Sequence, residues 1–144
     1  MKKFTLIVLL LISGIAYSQN SQLTVIGNQN AVPAQLTMAE FKTILLGNKP
    51  KWNAADKVII TMMKLNTEAG KSICSKVYGM TPDEVKKYWL TLSFKGEVAA
   101  PVFFNTANEV QDFVSKNRGA IGILDLPGVI PNTKIVLIDG KKTF

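Results

Sequence analysis

Histidine is absent from this chain of 144 residues. That removes both the commonest general base and the commonest transition-metal ligand. Cysteine occurs once, at Cys74, so no internal disulfide can form. Its place on the apolar side of an expected helix reads as a small buried hydrophobe rather than a reactive thiol. Arginine also occurs once, at Arg118. It is a candidate anion contact, but a residue beside a helix C-terminus has a sufficient reason to be cationic. The chain has no Ser/His/Asp set, no Cys/His pair and no cluster with metal-ligand spacing, and its carboxylates are dispersed. The expectation is a protein that is not an enzyme, with no catalytic residues, no cofactor and no metal site.

Long hydrophobic runs are scarce too. The one extended run, from Phe4 to Ala16, follows Lys2 and Lys3 and leads to Ala16-Tyr17-Ser18. A positive start, an apolar middle and small residues at −3 and −1 are the parts of a signal peptide cleaved before Gln19. The run falls short of the roughly 20 residues a comfortable membrane span needs. Residues 1–18 are therefore expected to be a signal peptide and residues 19–144 one domain, periplasmic or secreted, with no stable span after cleavage. No Cys stands at the cleavage point, which argues against a lipid anchor.

Acidic residues are outnumbered, 10 against 17 Lys plus Arg, for a formal charge of +7 that becomes +5 without Lys2 and Lys3. The lysines are scattered and form no long run. This reads as a solvated surface, and export argues against a nucleic-acid partner. A domain of this size can bury about two-thirds of its unfolded surface.

Capping chemistry organises the rest. Thr37 and Glu40 form a T-x-x-E box opening a helix over about 37–46, with Met38, Phe41, Ile44 and Leu45 on its apolar face. Gly47, Asn48 and Pro50 stop it. Thr81-Pro82-Asp83-Glu84 opens a second boxed helix, with Val85, Tyr88, Trp89 and Leu92 as a core stripe. Thr106 and Glu109 open a third. Asn66 or Thr67 caps another helix reaching about Tyr78, in which Gly70 marks either a close approach of backbone or ligand or simple tolerance. Strands are expected at 23–27, 58–63, 101–104, 120–124 and 134–139. The stretch from Asn28 to Gln35 reads as a loop and the tail from Lys141 as frayed. Strands alternating with helices define an α/β domain with a mostly parallel sheet flanked by helices. The two terminal strands are expected to pair.

The segment L-T-M-A-E-F-K-T-I-L-L-G-N-K-P-K-W, Leu36 to Trp52, resembles L-(S/T)-x-x-x-(L/F)-x-x-I-(F/L)-x-G-x-x-x-x-W of phosphate-type periplasmic binding proteins, the substrate-binding subunits of ABC transporters. Asn117-Arg118-Gly119-Ala120-Ile121-Gly122 resembles that family's N-x-G-A-I-G lead-in to a strand, and Val77 to Thr81 with Tyr88-Trp89 is similar to its small, single-lobe members. The resemblance covers about residues 23–125. It implies a single lobe of the type II periplasmic-binding-protein-like fold, one half of the family's two-lobed clamp.

Anion chemistry is expected where the strand at 58–63 gives way to a helix, because backbone N–H groups and the helix dipole there favour negative charge. By position, Asn66, Thr67, Gly70, Lys71 and Ser72 are candidate ligand contacts, set against a plainly capped helix start. The resemblance adds Lys64, which stands where two-lobed members carry Arg, and it also exposes a departure: Glu68-Ala69-Gly70 replaces their Ser-Gly-Thr. Two hydroxyl donors are lost and a carboxylate is gained. Ala69-Gly70-Lys71-Ser72 imitates the end of a nucleotide-binding loop, but Leu65 stands where the first glycine must be. Thr106 heads a second anion-friendly helix start, although most capping boxes bind nothing. The resemblance thus implies an exported solute-binding-like protein holding phosphate or another small anion, with an ABC permease as a partner. The alternative is an interaction module with an eroded ligand site and an envelope protein as its partner.

Overall fold

A computed structural model of the chain describes residues 22–96, 98–125 and 128–144. The expected signal peptide, 1–18, lies outside the described residues.

The parallel part of the sheet is built on short apolar runs. Strand β3 (Ile59–Met63) is flanked in parallel by β4 (Val102–Phe104) and β5 (Ala120–Leu124). β5 is buried along its whole length, as a strand covered on both faces must be. Strand β1 (Thr24–Asn28) runs antiparallel to β5, and β6 (Thr133–Ile135) runs antiparallel to β1. The order is β4-β3-β5-β1-β6, so four strands share one direction and β1 alone is reversed.

Each helix begins where its capping residue predicts. Helix α1 (Met38–Leu45) is capped by Thr37 with Glu40. Helix α3 (Pro82–Lys95) is capped by Thr81 with Glu84, and α4 (Ala107–Lys116) by Thr106 with Glu109. Helix α2 (Glu68–Ile73) is capped by Thr67 and continues as a π-helical turn, Cys74–Tyr78. The widened turn sets Cys74, Val77 and Tyr78 all inward. Burial pushes the Cys74 thiol up, which keeps it an uncharged hydrophobe.

Buried hydroxyls tie the helices together. The Tyr78 hydroxyl donates to the Leu45 carbonyl at 2.7 Å and accepts from Trp89 Nε1 at 3.1 Å. The Tyr88 hydroxyl donates to the Leu46 carbonyl. Carbonyls left unpaired at the end of α1 are thus satisfied by side chains from two other elements. Helix α4 lies on β5 at Gly122, where a Cβ would come within 2.9 Å of Val110 and Val114.

Three expectations about the terminal regions are corrected. The run expected as one strand over 134–139 is split. Val136 donates from its amide to the Val25 carbonyl, and the chain then leaves the main sheet as β7 (Leu137–Ile138). β7 pairs in parallel with β2 (Gln35–Leu36), whose first residue ends the stretch read as a loop. The tail is not frayed, because Phe144 exchanges backbone hydrogen bonds with Leu23 at 3.0 and 3.1 Å and sets its ring edge-on to Phe41. The terminal strands do pair, through Ile26 opposite Ile135.

Candidate functional site

The carboxyl ends of β3 and β4 lie side by side, locked by the Lys64 amide donating to the Phe104 carbonyl at 2.8 Å. In open α/β sheets, ligands sit beyond these strand ends. A cleft of about 420 Å³ opens there, lined by Lys64, Leu65 and Asn66 of the loop after β3, Phe103 of β4, and Lys86 and Trp89 of α3. Lys86 and Trp89 are three residues apart, so one face of α3 carries both. Among the described residues, neither Lys64 nor Lys86 has an ion-pair partner.

The loop is held by its own backbone. The Thr67 amide and hydroxyl both donate to the Lys64 carbonyl, at 3.0 and 2.6 Å, and the same hydroxyl accepts from the Gly70 amide at 3.0 Å. Gly70 resolves the choice left open by the sequence. A Cβ there would lie 2.1 Å from the Lys64 carbonyl oxygen and 2.7 Å from the Leu65 Cα, so close backbone approach requires glycine.

The candidate contacts therefore separate. Lys64 and Asn66 line the cleft, and Thr67 and Gly70 shape the loop beneath it. Lys71 and Glu68 form an exposed pair at 3.7 Å, which turns the carboxylate added to this loop toward solvent and a cation. Ser72 is half-buried one turn further on and does not line the cleft. Thr106 spends its hydroxyl accepting from the Glu109 amide, while the Glu109 carboxylate accepts from the amides of Asn105 and Thr106. Negative charge already occupies that helix start.

The same holds at α1, where the Glu40 carboxylate accepts from the Thr37 amide and Asp139 accepts from the Met38 amide. The Thr37 amide and hydroxyl hold the Glu40 carboxyl below its ordinary value. At α3, Glu84 closes on the Thr81 amide. The start of α2 has glycine in place of the boxing glutamate, and no carboxylate folds back over it among the described residues. Arg118 is committed elsewhere, gripping Asp56 through Nε and Nη2. Lys86 was invisible to the motif reading. Its signal was its spacing from Trp89, which mattered only once both were seen to line one cleft with the loop after β3.

A second cleft, of about 310 Å³, lies toward the amino end of β3 and includes Lys49, Lys51 and Lys57 in its lining. It sits at the edge of the sheet opposite the strand carboxyl ends.

No protein-family model and no curated protein sequence matches the chain. Its architecture is similar to that of solved substrate-binding proteins. An ABC-type phosphate transport receptor from Vibrio cholerae superposes with a TM-score of 0.64 at 16% identity, over 88% of this chain and 53% of that one. A putative phosphate ABC transporter substrate-binding protein from Clostridium perfringens, solved with bound phosphate, gives 0.60 at 16% identity over 83% and 45%. PstS from Borrelia burgdorferi gives 0.64 at 15% identity over 83% and 47%. At such identities the likeness establishes the fold: a single α/β lobe of the type II periplasmic-binding-protein kind. The chain spans about half the length of the structures it matches.

Proposed function

We propose that this chain is an exported, non-enzymatic solute-binding-like protein that holds a small anion, phosphate among the candidates, at the cleft beyond β3. The observation that carries this reading is the meeting of Lys64 and Lys86 in one cleft with the Asn66 amide, both ammonium groups without ion-pair partners among the described residues. The place is the one where parallel α/β sheets present ligand sites. The likeness in fold to a phosphate transport receptor and to a substrate-binding protein solved with bound phosphate supports it. Lysine supplies a point charge rather than a planar fork, so affinity for a bare anion is modest. Contacts come from Lys64 and Asn66, with Thr67 and Gly70 fixing the loop; Lys71, Ser72 and Thr106 take outlying roles at most. The processed chain begins at Gln19 and resides in the periplasm or outside the cell, where an ABC permease is the partner in this reading. Among the described residues no helix is long and apolar enough to cross a membrane.

Calorimetric titration of the purified protein with phosphate and sulfate tests the reading. Saturable heat that disappears in Lys64→Ala is the expected result. Absence of heat from every anion tried, inorganic or organic, at millimolar concentration overturns it.

One observation favours a second reading, an interaction module. Leu90 and Phe94 on α3 are 56% and 84% exposed, far more than core-forming side chains of their size. In that case an envelope protein binds this face. Its association would be lost in Leu90→Ser/Phe94→Ser and retained in Lys64→Ala.

A further inference from the structure

The cleft beyond β3 is chemically two-sided. Its charged side is Lys64 and Lys86, which come from a loop and a helix far apart in sequence. Its other side is carbon. Leu65 and Phe103 are half-buried, and Trp89 is only 3% exposed, with its indole N–H already donated to Tyr78. What Trp89 can offer a ligand is therefore aromatic carbon alone. Asn66 is the one uncharged polar side chain in the lining.

A bare oxyanion suits such a cleft poorly. Each oxygen withdrawn from water needs donors in return, and two ammonium groups with one amide cannot surround a phosphate that also faces three apolar walls. A volume of about 420 Å³ and a mostly apolar lining are instead the features of a site for an organic molecule fixed by a few polar groups. We infer that the cleft takes an organic anion with an aromatic or similarly flat apolar body, its phosphate or carboxylate head between Lys64 and Lys86 and its body against Leu65, Trp89 and Phe103. This rests on the reading of the cleft as an anion site and narrows it to a ligand class. Lys86 becomes a ligand-contacting residue, and the apolar walls set specificity.

The test compares phenyl phosphate with inorganic phosphate by calorimetric titration of the purified protein, with Trp fluorescence as a second readout. Phenyl phosphate is expected to bind at least about tenfold more tightly, the return for burying most of a ring on apolar surface. Lys86→Ala, at an exposed position, is expected to weaken phenyl phosphate about tenfold, as loss of one charged contact does. Phe103→Ala is expected to remove the preference for phenyl phosphate over inorganic phosphate. Equal affinity for the two ligands overturns this inference and leaves the anion-site reading standing, whereas indifference to Lys86→Ala removes the lysine pair on which both rest. Binding of neither ligand overturns both.

Discussion

The indole Nε1 of Trp52 donates to the carbonyl of Gly119 at 2.8 Å, across 67 residues of sequence. The two stretches whose order suggested a family resemblance are thereby joined physically. Gly119 has a left-handed backbone at φ 84°, and a Cβ there would meet the Lys57 carbonyl oxygen at 2.1 Å. Trp52→Phe should destabilise the protein by about 1 kcal/mol, the usual net worth of one such hydrogen bond. The loss stays modest because the Gly119 carbonyl also accepts from the Ile59 amide at 3.1 Å. Urea unfolding of both proteins measures the difference, and an unchanged midpoint would contradict the assigned role.

The pair Asp56–Arg118 should make stability acid-sensitive. Asp56 is buried, and hydrogen bonds from Arg118 and then Asn53 hold its carboxyl below the ordinary value of 3.8. A depressed carboxyl contributes stability that is fully present above the unfolded value and is lost as pH falls through the folded one. Arg118→Gln should therefore be less stable than the parent at neutral pH, with the gap closing as pH drops below about 4. Unfolding free energy measured across pH 2 to 7 decides this, and a gap independent of pH would refute the linkage.

Gly70→Ala pits helix propensity against space. Alanine is favoured in a helix by about 1 kcal/mol. The new Cβ, however, meets rigid backbone at Lys64 and Leu65 and not a flexible side-chain end. Overpacking of this kind costs about 1–3 kcal/mol, so net destabilisation is expected. The loop displacement should also weaken anion binding, and the two effects are read by urea unfolding and titration respectively.

Tyr78→Phe removes a hydroxyl that both donates to Leu45 and accepts from Trp89. Two buried partners are left unsatisfied, which should cost about 1–3 kcal/mol or somewhat more. The Trp89 emission spectrum should shift as its indole N–H loses its acceptor. No change in either thermal midpoint or emission would show that the network is dispensable.

What could be read from the sequence was what depends on neighbours three or four residues away. The boxes at Thr37, Thr81 and Thr106 were legible because the cap and its glutamate sit within one turn. The strands at 59–63 and 120–124 were legible because continuous burial writes a continuous apolar run. These fixed an α/β domain before any fold was seen. Everything joining distant segments had to wait for the tertiary structure. No local pattern announces that the last strand divides at Val136, that Phe144 closes on Leu23, or that Arg118 is spent on Asp56. Gly70 shows the boundary within a single residue: its cost to a helix is local and legible, while the carbonyl it must avoid comes from the preceding loop. Lys86 shows it for the cleft, since a lysine on a helix acquires meaning only when packing sets it in one cleft with Lys64. Local chemistry depends on spacing along the chain, whereas a site depends on which surfaces the burial of the core brings face to face.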